Sequence, residues 1–212
     1  MKYVSSLTNK NSTHRRLLCK IPTGSVLLDV GCAQGYLAKY AVENLKCTVY
    51  GIELEEVAGK QAKSWCQDVR IGDIEVMDDK QFWNIKFDCI LLGDILEHLK
   101  EPEKVLLKLS KHLSPSGRMI ISLPNIAYLP VRLKLLLGKF DYTPTGIMDA
   151  THLRFFTRCS MNKMFESCGF DIVFQNGVGH LSVGFGEIGN ALDQLFPTLT
   201  AVQFISVLSK RN

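Results

Sequence analysis

The nine residues Leu27-Leu28-Asp29-Val30-Gly31-Cys32-Ala33-Gln34-Gly35 constrain this chain more than any other stretch. A short buried-strand pattern runs into a turn of small residues, and a helical pattern starts at Tyr36. Such units build a mostly parallel α/β sheet covered on both faces. Small residues let a ligand approach the backbone, and the N-terminus of the new helix favours an anion. Asp29, at the strand end, is placed to order the turn or to meet a cation on a ligand. A second strand pattern over 48–52 closes on Glu53, where a carboxylate accepts hydrogen bonds from both ribose hydroxyls. These features together describe a nucleoside-binding crevice at the carboxyl edge of a sheet.

Glycine spacing narrows the nucleoside. A dinucleotide loop G-x-G-x-x-G starting at Gly31 needs glycine at 33 and 36, where this chain has Ala33 and Tyr36. Tyrosine there obstructs the close helix packing that the third glycine allows. A nicotinamide-dependent oxidoreductase is therefore disfavoured.

The rest of the chain keeps the alternation. Ser12 or Thr13 caps a helix ending near Ile21, helices are expected over 36–44, 55–65 and 101–112, and strands over 69–71, 87–92 and 118–123. From Asn125 to Thr157 the alternation breaks: a helix near 131–137 leads into GKFDYTPTGIMDATHLRFF, too long and too aromatic for a plain connector. A helix over 160–167 and strands over 170–174 and 202–208 complete the pattern. The whole of 1–212 reads as one domain, with 125–157 and 177–197 as insertions that cap the acceptor site.

Composition excludes several classes. The 46% hydrophobic and 22% charged content is that of an ordinary globular protein, and a net charge of +4 is too mild for a dedicated nucleic-acid binder. Seven scattered cysteines without C-x-x-C spacing read as reduced thiols in the cytoplasm. The opening residues contain no secretory h-region, and no stretch reaches the length of a membrane span.

The segments LLDVGCAQG (27–35), GIE (51–53), GDIE (72–75), FDCILLGDILEHLKEPEKVL (87–106), LSPSGRMIISLPN (113–125) and GKFDYTPTGIMDATHLRFFT (138–157) give the chain its likeness. It resembles the class I S-adenosylmethionine-dependent methyltransferases, in particular small methyltransferase-domain proteins of glycan and secondary-metabolite pathways and MetW-like proteins. The resemblance implies a Rossmann-like, doubly wound, mostly parallel seven-stranded sheet with a small helical and loop cap. It implies that Gly31, Cys32, Ala33 and Gly35 hold the methionine part of the cofactor, supported by Asp29. By the same likeness Glu53 and Leu54 meet the ribose, Asp73 and the Ile74 backbone meet the adenine, and the stretch Leu92–Asp94, with Gly93 and Asp94, lines the sulfonium end. The product is then S-adenosylhomocysteine.

Asp94, Glu97 and His98 fall on one helical turn, and His152 sits in the unusual loop. Three readings compete for them: a metal site, a general-base site, or a hydrogen-bond cluster that anchors the loop. A similar arrangement binds a divalent metal in small-RNA terminal methyltransferases and in ubiquinone-pathway O-methyltransferases, which usually have Glu where this chain has Asp94. The shorter side chain disfavours a metal. Removal of a hydroxyl proton suits histidine, whose ordinary pKa lies near neutrality. His152 is the leading base, then His98, with Asp94 beside them. The acceptor pocket is assigned to Asn125, Tyr128, Tyr142, His152, Arg154 and Phe155, with Arg154 gripping a carboxylate or phosphate. The expected function is methyl transfer to an O or N of a small molecule such as a sugar or natural-product intermediate, by a monomer or homodimer. The alternatives are a cofactor-binding regulatory protein with little turnover and, less favoured, an RNA methyltransferase.

Overall fold

The computed structural model describes residues 12–179 and 195–211. The second expected cap segment, 177–197, lies largely outside them, as do the opening residues.

Helix α1 (Thr13–Leu18) starts where the Ser12 side chain accepts a hydrogen bond from the Arg15 amide. Strand β1 (Val26–Val30) and helix α2 (Tyr36–Leu45) flank the small-residue turn. β2 (Thr48–Glu53), α3 (Glu56–Ala62), β3 (Asp68–Ile71), β4 (Phe87–Gly93), α4 (Pro102–Ser110) and β5 (Leu113–Pro124) repeat the alternation. The cap helix α5 (Leu129–Leu136) follows, then α6 (Arg158–Ser167), β6 (Phe170–Gly179), the short α7 (Pro197–Thr200) and β7 (Ala201–Lys210).

Seven strands form one sheet in the order β3-β2-β1-β4-β5-β7-β6, with β7 antiparallel to both neighbours. The order reverses between β1 and β4, and at such a switch point a crevice opens outside the carboxyl ends of the strands. Each central strand is apolar on both faces. Leu28, Val30, Ile90 and Leu92 pack toward a core shared with Phe165 of α6 and Phe204 of β7. Their neighbours Leu27, Cys89 and Leu91 turn to the opposite core, shared with α1, α2 and Val49. The strand period of two accounts for this division. Truncating a fully buried phenylalanine such as Phe165 to alanine costs about 3–5 kcal/mol.

Element ends differ from the sequence pattern where pairing overrides it. β5 begins at Leu113 rather than near Arg118, because Leu113 pairs with Phe87 across a bulge. A Cβ at Gly117 would stand 2.8 Å from the Phe87 carbonyl oxygen, so that strand approach requires glycine. β6 continues past Phe174 to Gly179 through polar residues, because it lies along β7 from Phe170↔Lys210 to Gly179↔Ala201. Gln175 there donates to the Asn162 and Ser206 side chains, which satisfies a polar group the apolar pattern cannot reveal.

Candidate active site

The turn after β1 is held by its own backbone and by Glu53. Gly31 and Gly35 adopt φ of 73° and 80°, and Ala33 stands at 47°, in the region that disfavours L side chains. Gly31 N and Cys32 N donate to the Ile52 carbonyl at 2.8 and 3.2 Å, stitching the turn to β2. The Glu53 carboxylate accepts from Ala33 N at 2.8 Å and from Glu55 N at 2.9 Å. A carboxylate offers about four lone-pair sites, so two remain for a ligand. A Cβ at Gly35 would sit 3.0 Å from the Ala62 Cα, which explains why the N-cap of α2 is glycine. Its N-terminus carries no side-chain cap and suits an anion such as a carboxylate.

Asp29 lies beneath this turn at 2% exposure, and one of its carboxylate oxygens has no hydrogen-bond partner among the described residues. Burial, and then the neighbouring Glu53, push its carboxyl up to about 7. A cationic group on a ligand would relieve that position. The Cys32 thiol, in contrast, is buried in the α1–α2 core, and a Cβ on Gly51 would meet its sulfur at 2.6 Å. Cys32 therefore holds the turn from behind and presents no side chain to a ligand. Gly93 ends β4, and a Cβ there would meet Leu17 at 3.4 Å; it is not among the residues lining the crevice.

A cavity of about 390 Å³ opens beside Gly31, Glu53, Leu54, Asp73, Ile74 and His98. Leu54 is exposed at its rim. Asp73 accepts from the Glu75 amide at 2.8 Å, a local turn that leaves its other oxygen to the cavity.

A second cavity, about 450 Å³, lies at the ends of β4, β5 and β7 and is lined by Asp94, Glu97, His98 and His152 together with His14 and Gln203. The expected helical turn is a short 3-10 turn over Leu96–His98, and Asp94 precedes it at φ 57°. Asp94 reaches the cavity from that left-handed position and not from a helix face. Its carboxylate accepts from Ser122 Oγ at 2.6 Å and from Gln203 Nε2, while its amide donates to Ser122 Oγ at 3.0 Å. The Leu153 and Arg154 amides donate to the Glu97 carbonyl at 2.8 and 3.0 Å, strapping the cap loop over the turn.

Glu97 is 1% exposed, and its Oε2 has no hydrogen-bond partner among the described residues. Burial first, then the nearby Asp94, raise its carboxyl well above the usual range. The His98 and His152 rings stand edge to face at 4.9 Å. His98 Nδ1 faces the Thr151 carbonyl at 3.2 Å, and His152 Nδ1 faces the Ile147 carbonyl at 3.0 Å. A carbonyl accepts only, so each Nδ1 is the donor, and in a neutral ring the lone pair then lies on Nε2. Burial holds His152 below the ordinary histidine value, against the opposing pull of the Ile147 carbonyl. One ligand atom each from Glu97, His98 and His152 lie within 4.8 Å of one another, so the trio has the composition and spacing to hold a cation.

The remaining acceptor candidates sit elsewhere. Asn125 is fully buried; its amide donates to the Thr198 and Ala201 carbonyls at 3.1 and 2.8 Å and its oxygen accepts from the Ala127 amide. It braces the cap base. Arg154 donates to the Lys100 carbonyl at 3.1 and 2.6 Å, which engages its guanidinium away from the cavity. Tyr142 is 56% exposed in an outer aromatic group with Phe140 and Phe155. Tyr128 caps α5 and borders a third cavity of about 290 Å³ between α5 and the loop. The sequence pattern had no signal for His14 or Gln203. They reach the site because α1 packs against β5 and β7, and Thr13 Oγ1 donates to Gln203 Oε1 at 2.6 Å.

A methyltransferase-domain family model matches residues 7–175. Ubiquinone biosynthesis O-methyltransferase of Idiomarina loihiensis is 25% identical over 163 residues, 73% of this chain and 65% of that one. The Coxiella burnetii protein of the same name is 25% identical over 165 residues, 73% of this chain and 67% of that one, so the chain spans about two thirds of these relatives. A SAM-dependent methyltransferase structure from Archaeoglobus fulgidus superposes with a TM-score of 0.66 at 16% identity, covering 99% of both chains. With the turn, the Glu53 clamp and the seven-stranded order in place, the chain belongs to the class I S-adenosylmethionine-dependent methyltransferases.

Proposed function

We propose that this protein transfers a methyl group from S-adenosylmethionine to a hydroxyl oxygen of a small molecule. One observation carries the reading: His98 lines both the crevice beside Glu53 and the cavity that holds Asp94, Glu97 and His152. The two chambers therefore adjoin at a basic side chain. The cofactor, when bound, supplies a methyl group made electrophilic by its sulfonium. The residues present fit it: the turn at Gly31–Gly35 and Asp29 for the methionine part, Glu53 for the ribose, Asp73 and Ile74 for the adenine.

In this reading His152 Nε2 takes the hydroxyl proton as the oxygen attacks, because its Nδ1 proton is held by the Ile147 carbonyl. Asp94, fixed by Ser122, positions the mouth of the cavity and favours the imidazolium that forms. Asn125, Arg154 and Tyr142 act by shaping the cap, and Tyr128 borders its apolar chamber. The names of the relatives favour oxygen over nitrogen as acceptor atom. A sugar or natural-product acceptor, as in the MetW-like and glycan-pathway likeness, keeps its place as a narrower proposal. The cytoplasm is the proposed compartment; all seven cysteines are free, and no helix among the described residues is long and apolar enough to cross a membrane.

Calorimetric titration with S-adenosylmethionine, S-adenosylhomocysteine and NAD, followed by methyl transfer to phenolic and sugar hydroxyls, tests this. Binding of the two sulfur nucleosides without NAD, and product from one hydroxyl class, is expected. Binding without turnover on any acceptor would favour the regulatory alternative.

The unpartnered Glu97 oxygen favours a second reading, in which Glu97, His98 and His152 hold a divalent cation that orients the acceptor. Activity lost on chelator dialysis and restored by magnesium or zinc would replace the metal-free reading with this one.

A further inference from the structure

The loop after β3 forms a single turn that no α-helix continues. Val76 N and Met77 N donate to the Asp73 carbonyl at 3.1 and 3.0 Å. A turn that stops there leaves the carbonyls of its last residues without amide partners. Three of them are met by one side chain of α4. Lys108 Nζ donates to the Ile74 carbonyl at 2.8 Å, to the Glu75 carbonyl at 3.2 Å and to the Met77 carbonyl. A lysine has three N–H donors, so donors and acceptors match one for one. Its neighbours Lys104 and Lys111 pair with the carboxylates of Glu101 and Asp79, whereas the Lys108 ammonium is given to carbonyls of one loop.

The same helix grips the loop at its other end. The Glu101 amide, at the N-cap of α4, donates to the Glu75 carboxylate at 2.8 Å. Glu101 and Lys108 are seven residues apart, about two helical turns, so the two hooks lie on one face. Val105, Leu106 and Leu109 of α4 are buried in the core that also takes Ile74 and Met77. The helix is thereby fixed to the sheet and acts as a splint for the turn. The loop's other side belongs to the crevice: Gly72, Asp73, Ile74 and Glu75 line the cavity of about 390 Å³. Lys108 does not line that cavity and touches the loop from behind.

We propose that Lys108 is a positioning residue for the cofactor's base. Holding three carbonyls, it keeps the turn in the arrangement in which Asp73 and the Ile74 backbone read the adenine. The inference rests on the reading that places the adenine at Asp73 and Ile74. Without the ammonium the loop populates other arrangements, and apparent affinity falls with the fraction that is competent. The effect is confined to the base, because the turn at Gly31–Gly35 and Glu53 are held by Ile52 and by each other and not by Lys108.

Calorimetric titration of the full chain with S-adenosylhomocysteine and with S-inosylhomocysteine tests it, without any acceptor present. The second nucleoside carries an oxo group in place of the adenine amino group. The wild type should prefer the first, since a carboxylate accepts from an amino group and repels a carbonyl oxygen. Lys108→Met should weaken S-adenosylhomocysteine by about tenfold and bring the two affinities within about threefold of each other. Lys108→Arg, which restores charged N–H donors, should recover severalfold of that loss. Denaturation midpoints accompany each titration, because a role in the fold alone lowers the midpoint and leaves the ratio of the two affinities unchanged. If the methionine variant misfolds, Lys108→Gln replaces it, with an expected loss of about threefold. A folded variant with wild-type affinity, or one that loses both nucleosides equally, overturns the proposal alone. A wild type that binds neither nucleoside overturns the adenine reading and the proposal with it.

Discussion

The crevice at the ends of β1 and β2 and the cap from Asn125 to Thr157 meet at His98, but they are built by opposite means. The crevice is made of backbone: left-handed φ at Gly31, Ala33 and Gly35, amides stitched to Ile52, and one carboxylate, Glu53, clamping the turn. The cap is made of side-chain hooks: Arg154 on the Lys100 carbonyl, Asn125 on two carbonyls, His98 and His152 on carbonyls of the cap loop. A backbone site announces itself locally, because only small residues tolerate its conformation. A hooked site does not, because a polar residue in a loop reads the same whether it grips a ligand or a neighbouring carbonyl.

The comparison breaks most visibly at His152. His152→Ala should lower the turnover rate by about 10²–10⁴-fold with cofactor affinity nearly intact. The wild-type rate should rise with pH with its midpoint below the ordinary histidine value, since burial lowers this imidazole's pKa and the neutral form is the base. Wild-type turnover in the alanine variant would reduce His152 to another hook.

Asn125→Ala should leave three backbone groups at the cap base without partners, at a cost of roughly 2–4 kcal/mol in chemical denaturation. A selective rise in KM at unchanged stability would instead return Asn125 to the acceptor. Glu53→Ala removes the clamp on Ala33 together with the proposed ribose acceptor, and should weaken S-adenosylmethionine by about 10–100-fold in calorimetry. Unchanged affinity would leave Glu53 a clamp alone.

Asp29 sharpens the contrast from below the turn. Its folded pKa of about 7 lies above the ordinary 3.8, so between these values the folded state holds more protons than the unfolded one. Stability from this group is therefore lost as pH rises through the window, with a slope of at most about 1.4 kcal/mol per pH unit. Asp29→Asn should flatten the difference in denaturation midpoint between pH 5 and pH 8; an unchanged slope would mean that the carboxylate is already compensated. The smallest effect is expected at Arg154. Arg154→Ala should cost about 1 kcal/mol or less, since the hook is exposed, and should leave the acceptor KM unchanged.

Local pattern was sufficient for much of this molecule. The period of two in the strands, the small residues after Val30 and the placement of Glu53 at a strand end each reflect a constraint acting over a few residues. They determined the α/β class, pointed to the proposed nucleoside crevice and disfavoured a dinucleotide loop at Ala33 and Tyr36. Tertiary structure alone decided what long-range packing decides. It brought His14 and Gln203 from opposite ends of the chain to Asp94 and His152, turned Arg154 to the Lys100 carbonyl, and left the leucines of α5 outside the core. No local property of those residues distinguishes one outcome from the other, because each depends on which carbonyl or apolar surface lies opposite once the sheet has closed.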